Sequence, residues 1–215
     1  MKRWILGSAA LLAVSGGIWG APVPAAEPTA VALNATDSDV LSRVSGYLNQ
    51  IETLKAHFNQ VSPDGSLQEG QLTMQRPGRM RFEYQQPTPL LVVSDGTFVV
   101  VRDKDRDTND RYPLNATPLD AILENKVNLA EDLLVTHVED RGGVVRLTAR
   151  DRAEPGKGEV TLVLDDQPMA LRQWVVTDAQ GAVTTVSLDD LHPNVPVDPR
   201  QFILNDQGPK PRRER

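Results

Sequence analysis

The sequence predicts a mainly β protein of the α+β class, in which short antiparallel strands follow one another along most of the chain. Short segments rich in β-branched and aromatic residues recur, and Gly, Pro, Asp and Asn separate them. Most connections are too short for crossover helices, and Asp95-Gly96 is the strongest hairpin signal among them. These features predict an antiparallel meander. The predicted strands are 68–75, 79–85, 90–94, 98–101, 134–138, 144–150, 159–164, 170–177 and 183–188.

A helix is predicted before the first of these strands. Thr36 or Ser38 can cap its N-terminus, and the apolar residues that follow recur at the spacing of one helix face. These apolar residues are Val40, Leu41, Val44, Tyr47, Leu48 and Ile51. From Leu54 the pattern becomes ambiguous, because Leu54, Ala56 and Phe58 alternate with polar residues and suit a strand as well as the end of the helix.

A second helix is predicted between the strands, at residues 117–124, and we call this segment the lid. Thr117 is a suitable N-cap and Pro118 occupies the first helical position. Leu119, Ile122 and Leu123 share one apolar face. Because so short an amphipathic helix is not stable alone, we expect its apolar face to lie on the concave face of the sheet.

The N-terminus has the features of a cleaved secretory signal, since Lys2 and Arg3 precede an apolar stretch that prolines end. The predicted organisation is a signal peptide at 1–25, a linker at 26–36, a single domain at 37–205 and a basic, Pro-rich tail at 206–215. The chain has no cysteine, which excludes disulfides and lipid attachment to its own cysteine. Its formal net charge of −6 argues against nucleic-acid binding.

A search for catalytic or metal-binding motifs finds none that is complete. The three histidines, at 57, 137 and 192, are far apart in the sequence, and no nucleophile-elbow or phosphate-loop motif is present. Asp103, Asp105 and Asp107 imitate the start of a calcium loop, but Thr108 and Leu114 stand where such a loop needs Gly and Glu. We therefore expect a charged solvent loop at this point, no metal, no cofactor and no enzymatic activity.

The strand at 79–84 has one large apolar face. Met80, Phe82 and Tyr84 alternate with charged residues, so three bulky side chains point to the same side of the sheet. Periodicity alone favours an ordinary half-buried core strand over a binding surface.

Several short motifs together resemble one family, the periplasmic outer-membrane lipoprotein carriers (LolA). They occur in the family's order over nearly all of the predicted domain: Phe58-x-Gln60, Gly70, Leu72, Arg76-Pro77-Gly78-Arg79-Met80-Arg81-Phe82-x-Tyr84, Pro87, Leu91-Val92-Val93-Ser94-Asp95-Gly96, Thr117-Pro118-Leu119, Asp178-x-x-Gly181 and Pro199-x-x-Phe202. The resemblance implies an incomplete antiparallel barrel, or half-barrel, with a helical lid over an apolar concave face. The chain departs from the family at Phe82, where Trp is frequent.

The resemblance also implies a role and a set of site residues. The protein would take lipoproteins from an inner-membrane ABC transporter, shelter their acyl chains and carry them, as a monomer, across the periplasm. Whether a separate outer-membrane receptor accepts the cargo stays open. We expect Met80, Phe82, Tyr84, Leu91 and Val93 to bind acyl chains.

By its position in the Arg-Pro pair, Arg76 is the residue that would hold the lid closed. We expect it to do so with Thr117, Pro118, Leu119, Ile122 and Leu123. The alternative is a lipid-sensing regulatory domain of the same fold, although such regulators carry a second domain.

Overall fold

The computed structural model describes residues 33–117 and 120–203, so the predicted signal peptide, most of the linker, Pro118, Leu119 and the basic tail lie outside the described residues. Within these ranges the strands are β1 (Thr53–Val61), β2 (Leu67–Gln75), β3 (Arg79–Tyr84), β4 (Leu90–Asp95), β5 (Phe98–Asp103), β6 (Thr108–Pro113), β7 (Leu133–Arg141), β8 (Val144–Asp151), β9 (Gly158–Asp166), β10 (Met169–Asp178) and β11 (Val183–Pro193). The helices are α1 (Ala35–Asn49), α2 (Asp120–Leu123) and α3 (Leu129–Asp132).

The eleven described strands form one antiparallel sheet in the order β6-β5-β4-β3-β2-β1-β11-β10-β9-β8-β7. Only β1 and β11 are neighbours that do not follow each other in the chain, and their pairing joins two meanders into one sheet. Strands β6 and β7 are the two edges and do not pair with each other, so the sheet stays open. The predicted fold class is confirmed.

The sheet curves around the helices, as contacts of the segment between β6 and α2 indicate. The backbone N–H of Leu114 bonds the carbonyl of Thr97 in the β4–β5 turn. The next residue, Asn115, accepts a hydrogen bond from Lys157 between β8 and β9. One short segment therefore touches both halves of the sheet, and the core lies between the sheet and the helices.

Helix α1 begins with a capping box rather than at the predicted Thr36 or Ser38. Asn34 accepts a hydrogen bond from the backbone of Asp37, whose carboxylate bonds the N–H of Asn34 in return. Its predicted stripe faces the core, where Val40, Leu41, Val44 and Leu48 are buried. The ambiguous segment after the helix is strand β1, which pairs with β2 and β11.

Polar contacts fix α1 to the sheet and to the segment before α3. Arg43 pairs with Asp140 at the end of β7 and with Asp166 at the end of β9. At the C-terminal end of the helix, the amide of Asn49 both donates to the carbonyl and accepts from the N–H of Val127, each at 2.8 Å. These polar contacts of α1 do not involve residues of the lid.

The outer face of the sheet has a small apolar cluster of its own. Phe202, in the 3-10 turn Pro199–Phe202, packs against Leu91 and Val93 of β4 and is only 2% exposed. The expectation that Leu91 and Val93 line the acyl site is therefore wrong: they point away from the concave face, and their neighbours Leu90 and Val92 pack against the main core.

Two elements were not predicted. The charged loop after β5 is only the turn at 104–107, and the chain returns from it as the exposed edge strand β6. Helix α3 forms one turn before β7. Among the described residues, no helix has the length and apolar character needed to cross a membrane.

Candidate functional site

An apolar cavity of about 40 Å³ lies between the sheet and the lid. Strands β1 to β3 supply five of its lining residues, and the others come from β10, α1, α2, the α1–β1 connection and the β2–β3 turn. The lining residues are Leu48, Ile51, Leu54, Leu72, Met74, Arg76, Met80, Phe82, Ile122, Leu123, Leu171 and Trp174. Arg76 is the single charged residue in this set.

Arg76 joins the sheet to the lid through backbone carbonyls. Its Nη2 donates to the carbonyl of Ile122 at 2.7 Å, and its Nη1 donates to that of Glu124 at 3.1 Å. Between these two, the carbonyl of Leu123 accepts from the N–H of Gly78 at 2.9 Å. Three successive carbonyls at the C-terminal end of α2, which have no partners within a helix, are thus satisfied by the β2–β3 turn.

The guanidinium of Arg76 is held in a costly position. Burial lowers its pKa, although an arginine stays protonated at neutral pH. Within residues 33–117 and 120–203, no carboxylate pairs with it, and its Nε is buried without a partner. A half-buried charge that only carbonyl dipoles compensate stabilises the closed lid less than an ion pair or an apolar plug would. We call Arg76 with the carbonyls of Ile122 and Glu124 the latch.

An aromatic cluster forms the floor behind the cavity. Phe58 meets Phe82 and Tyr84 edge to face, with ring centroids 5.1 and 5.0 Å apart, and Phe82 meets Trp174 at 6.1 Å. Phe58 lies over Gly70: a Cβ there would be 2.8 Å from the Phe58 ring and 2.2 Å from the carbonyl oxygen of Glu83. Glycine at this position therefore makes room for the floor.

Tyr84 closes the aromatic cluster with a polar contact. Its hydroxyl donates to Oε1 of Gln60 at 2.8 Å. Burial raises the pKa of Tyr84 to about 12, although the hydrogen bond to Gln60 opposes the rise, so the hydroxyl stays protonated and remains a donor.

Comparison of the chain with known protein families identifies one match. The family model described as "Outer membrane lipoprotein carrier protein LolA" matches residues 49–205. This chain belongs to the LolA family. Relatives named outer-membrane lipoprotein carrier protein include the following three. The one from Pseudomonas paraeruginosa is 30% identical over 181 residues, covering 80% of this chain and 86% of the relative. The one from Halorhodospira halophila is 29% identical over 181 residues, covering 80% and 84%. The one from Bordetella pertussis is 34% identical over 154 residues, covering 66% and 70%.

The structure brings together most of the residues that the LolA resemblance singled out. Met80 and Phe82 line the cavity, and Tyr84 lies beside them in the aromatic cluster. Arg76 contacts the lid, as expected, and Ile122 and Leu123 close the cavity from above. Pro118 and Leu119 lie outside the described residues.

Thr117 has a different role from the predicted one. Its hydroxyl donates to the carbonyl of Leu114 at 2.8 Å, which places the side chain in the preceding 3-10 turn Leu114–Ala116. It makes no described contact with Arg76. Its backbone carbonyl accepts from the N–H of Asp120, so Thr117 connects that turn to α2.

Several cavity residues were missed in the sequence. Leu72 and Met74 of β2 pair with Phe82 and Met80, so the inner face of β3 extends to the next strand. The alternation along 68–75 could have indicated them. Leu171 and Trp174 of β10 lie almost ninety residues beyond β3 along the chain, and only the pairing of β11 with β1 brings them to the same cavity.

The outer side of the lid faces an open, acidic pocket. It is lined by Thr117, Asp120, Glu124, Asp132, Leu133, Asp151, Arg152 and Ala153. Burial raises the pKa of Glu124, and the charges of Asp132 and Asp120 raise it further. Burial and then the charge of Asp151 raise the pKa of Asp120, while Lys157 opposes this. Closing the lid therefore brings like charges together.

Proposed function

We propose that this protein is a periplasmic carrier that binds the acyl chains of lipoproteins on its concave face and takes them from the inner to the outer membrane. The observation that carries the proposal is the apolar cavity, which the lid covers and a hydrogen-bonded latch closes. Membership of the LolA family, whose model is described as a lipoprotein carrier, supports the same role.

The need for a carrier follows from the cost of exposing acyl chains to water. Each methylene contributes about 0.8 kcal/mol, so a chain of about sixteen carbons costs on the order of 12 kcal/mol in water. A lipoprotein with such chains does not cross an aqueous gap unaided. The concave face offers the apolar surface that compensates this cost.

The closed cavity is too small for an acyl chain. Its volume of about 40 Å³ corresponds to about three water-sized groups, far fewer than the carbons of one chain. Loading therefore requires the lid to move away from the sheet. In this proposal the structure is the closed form of the carrier.

Opening exchanges the latch for contacts with cargo. When the lid leaves, Arg76 loses the carbonyls of Ile122 and Glu124, and acyl groups replace Ile122 and Leu123 against the sheet. The bonds that break are few, so the gain from burying methylenes outweighs them. Because closing the lid restores those bonds, the latch also opposes very tight retention and favours release.

The proposal includes the protein's location and partners. Export by the signal at 1–25 would bring it to the periplasm, an inner-membrane lipoprotein-releasing ABC transporter would load it, and it would act as a carrier without catalysing a reaction. Delivery would go to the outer membrane, either through a receptor or directly.

The test is release of a lipidated lipoprotein from inner-membrane vesicles that contain an active transporter. We expect wild-type protein to bring the lipoprotein into a soluble complex. A Phe82→Asp variant, which places a charge in the cavity wall, should leave it on the vesicles, whereas a Glu69→Gln variant on the outer face should act as wild type. Cargo that stays membrane-bound with wild-type protein, while the transporter hydrolyses ATP, contradicts the carrier role.

A further inference from the structure

A polar network lies at the end of the apolar inner face, beyond the aromatic cluster. The amide of Gln60 is its centre: Oε1 accepts from the Tyr84 hydroxyl at 2.8 Å, and Nε2 donates to Oγ of Ser62 at 3.1 Å and Oε1 of Gln68 at 3.2 Å. The Ser62 hydroxyl also contacts Oε1 of Gln68 at 3.4 Å. The latch and the cavity do not involve this network.

Gln60 belongs to the inner face of β1. Leu54, Ala56 and Phe58 are buried at alternate positions of the strand, and Gln60 is next in that series. Its partner on β2, Gln68, lies on the same inner face, two residues before Gly70. The apolar row of β1 therefore runs from Leu54 beside the lid to Phe58 and then meets a hydrogen-bonded amide.

The length of this row is close to that of one membrane acyl chain. Four residues separate Leu54 from Phe58 and six separate Leu54 from Gln60, which at the rise of a strand is about 13 Å and about 20 Å. Half of a bilayer's hydrocarbon thickness, the space that the chains of one leaflet fill, is about 15 Å and lies between these two lengths. A chain laid along the row with one end at the latch would bring its other end to the aromatic cluster and Gln60.

The available hydrogen-bond donors decide which end lies where. Once the lid opens, Arg76 has donors without acceptors, and the ester or amide oxygens of an acylated cysteine can accept them. The amide of Gln60 has both its oxygen and its nitrogen engaged by Tyr84, Ser62 and Gln68. The polar end of the chain therefore belongs at Arg76 and the terminal methyl group at Gln60.

We propose that the Gln60 network is an end-stop that sets the longest acyl chain the inner face accommodates. This inference rests on the proposed function, which supplies the acyl ligand. A methylene that still lies on the apolar row is buried and raises affinity about fourfold, the factor that its transfer from water is worth. A methylene beyond Phe58 meets a satisfied polar network and gains nothing. Gln60 is thus a specificity-determining residue for chain length.

The test is the affinity of the purified protein for saturated fatty acids, measured by displacement of a fluorescent acyl probe, over lengths that run from shorter to longer than the chains of one bilayer leaflet. For wild type, we expect affinity to rise about fourfold per carbon and then to level off. We call the chain length at which the wild-type affinity levels off the break. In Gln60→Leu the rise should continue past this length, so the first longer acid should bind the variant about fourfold more tightly than it binds wild type.

Two further variants make the result specific. Gln60→Leu/Tyr84→Phe removes both partners of the hydroxyl bond and leaves no buried hydroxyl unpaired, so it should show the same shift even where the single variant is unstable. Gln71→Leu is the same substitution on the outer face of β2, where Gln71 is exposed, and should keep the wild-type break.

The outcomes separate this inference from the proposed function. A break that stays at the same chain length in both Gln60 variants overturns the end-stop and leaves the carrier role intact. Wild-type protein that binds no fatty acid of any length overturns both.

Discussion

Arg76→Leu is the substitution that tests the latch most directly. The structure gives Arg76 two hydrogen bonds to the lid, and leucine is a shorter, apolar side chain without any donor. The neighbouring bond from Gly78 to Leu123 is made by the backbone and is unaffected. The variant therefore removes the side-chain part of the latch alone.

The magnitude follows from the number and kind of bonds lost. A hydrogen bond from a charged donor contributes about 1.5–3 kcal/mol. Because the freed guanidinium of the wild type is hydrated when the lid opens, we take the low end for both bonds, about 3 kcal/mol in total. For an acyl probe whose polar end does not reach Arg76, loading must break both bonds without replacing them, so their loss raises the affinity about a hundredfold and slows release; a ligand whose oxygens bond the freed Arg76 gains less.

The assay is displacement of a fluorescent acyl probe, combined with the rate at which bound probe leaves for acceptor vesicles. Arg76→Lys is the matched control, because it keeps the charge but replaces the planar fork by a single ammonium, and an intermediate affinity is expected. An Arg76→Leu protein whose acyl affinity and release rate stay within twofold of wild type would refute the latch.

Three further predictions concern stability and pH. Gly70→Ala, which drives a methyl group into the carbonyl of the facing strand, should lower the free energy of unfolding in urea by about 1–3 kcal/mol. Gly46→Ala, in open space on α1, should raise it by about 0.5–1 kcal/mol. Equal effects of the two substitutions on the free energy of unfolding would contradict the packing at Gly70. Phe202→Ala should cost about 3–5 kcal/mol of unfolding free energy yet leave acyl affinity unchanged, because Phe202 lies on the outer face. A loss of acyl affinity in folded Phe202→Ala protein would mean that the outer face belongs to the acyl site. The raised pKa of Glu124 in the closed form means that lid closure strengthens as pH falls through that pKa and weakens as pH rises. Glu124→Gln should therefore weaken acyl binding at neutral pH and flatten its pH profile, while Glu69→Gln should not.

Much of the fold could be predicted because its strands are short and well punctuated. All nine predicted strands are present, and Asp95-Gly96 forms the turn it indicates. Strand β6 was missed because charged and polar residues fill it, and its stability comes from pairing with β5 rather than from burial. Sequence periodicity has no signal for a strand with no buried face.

The face of β4 could not be predicted for the opposite reason. Residues 90–93 are a continuous apolar run, so alternation does not say which side chains face the concave side. Leu91 and Val93 are buried by Phe202, which lies more than a hundred residues later in the chain. Only that distant contact distinguishes the outer face of the strand from the inner one.

The latch was predicted through family resemblance rather than from the residues themselves. In the sequence alone, Arg76 precedes a Pro-Gly pair and looks like an ordinary turn residue. Its partners are backbone carbonyls of Ile122 and Glu124, and a carbonyl belongs to every residue, so no side-chain pattern reveals it. The Phe58-x-Gln60 motif likewise gained a physical meaning only when the hydroxyl of Tyr84 was found on Gln60.

The central claim is that acyl chains, rather than the polypeptide of the cargo, are what the concave face binds. The measurement that tests it most directly is the mass of the intact complex purified from the periplasmic fraction, compared for one lipoprotein and its variant that lacks the acylated cysteine. The account predicts one lipidated lipoprotein per carrier and no complex with the unlipidated variant. Equal binding of both forms would contradict it.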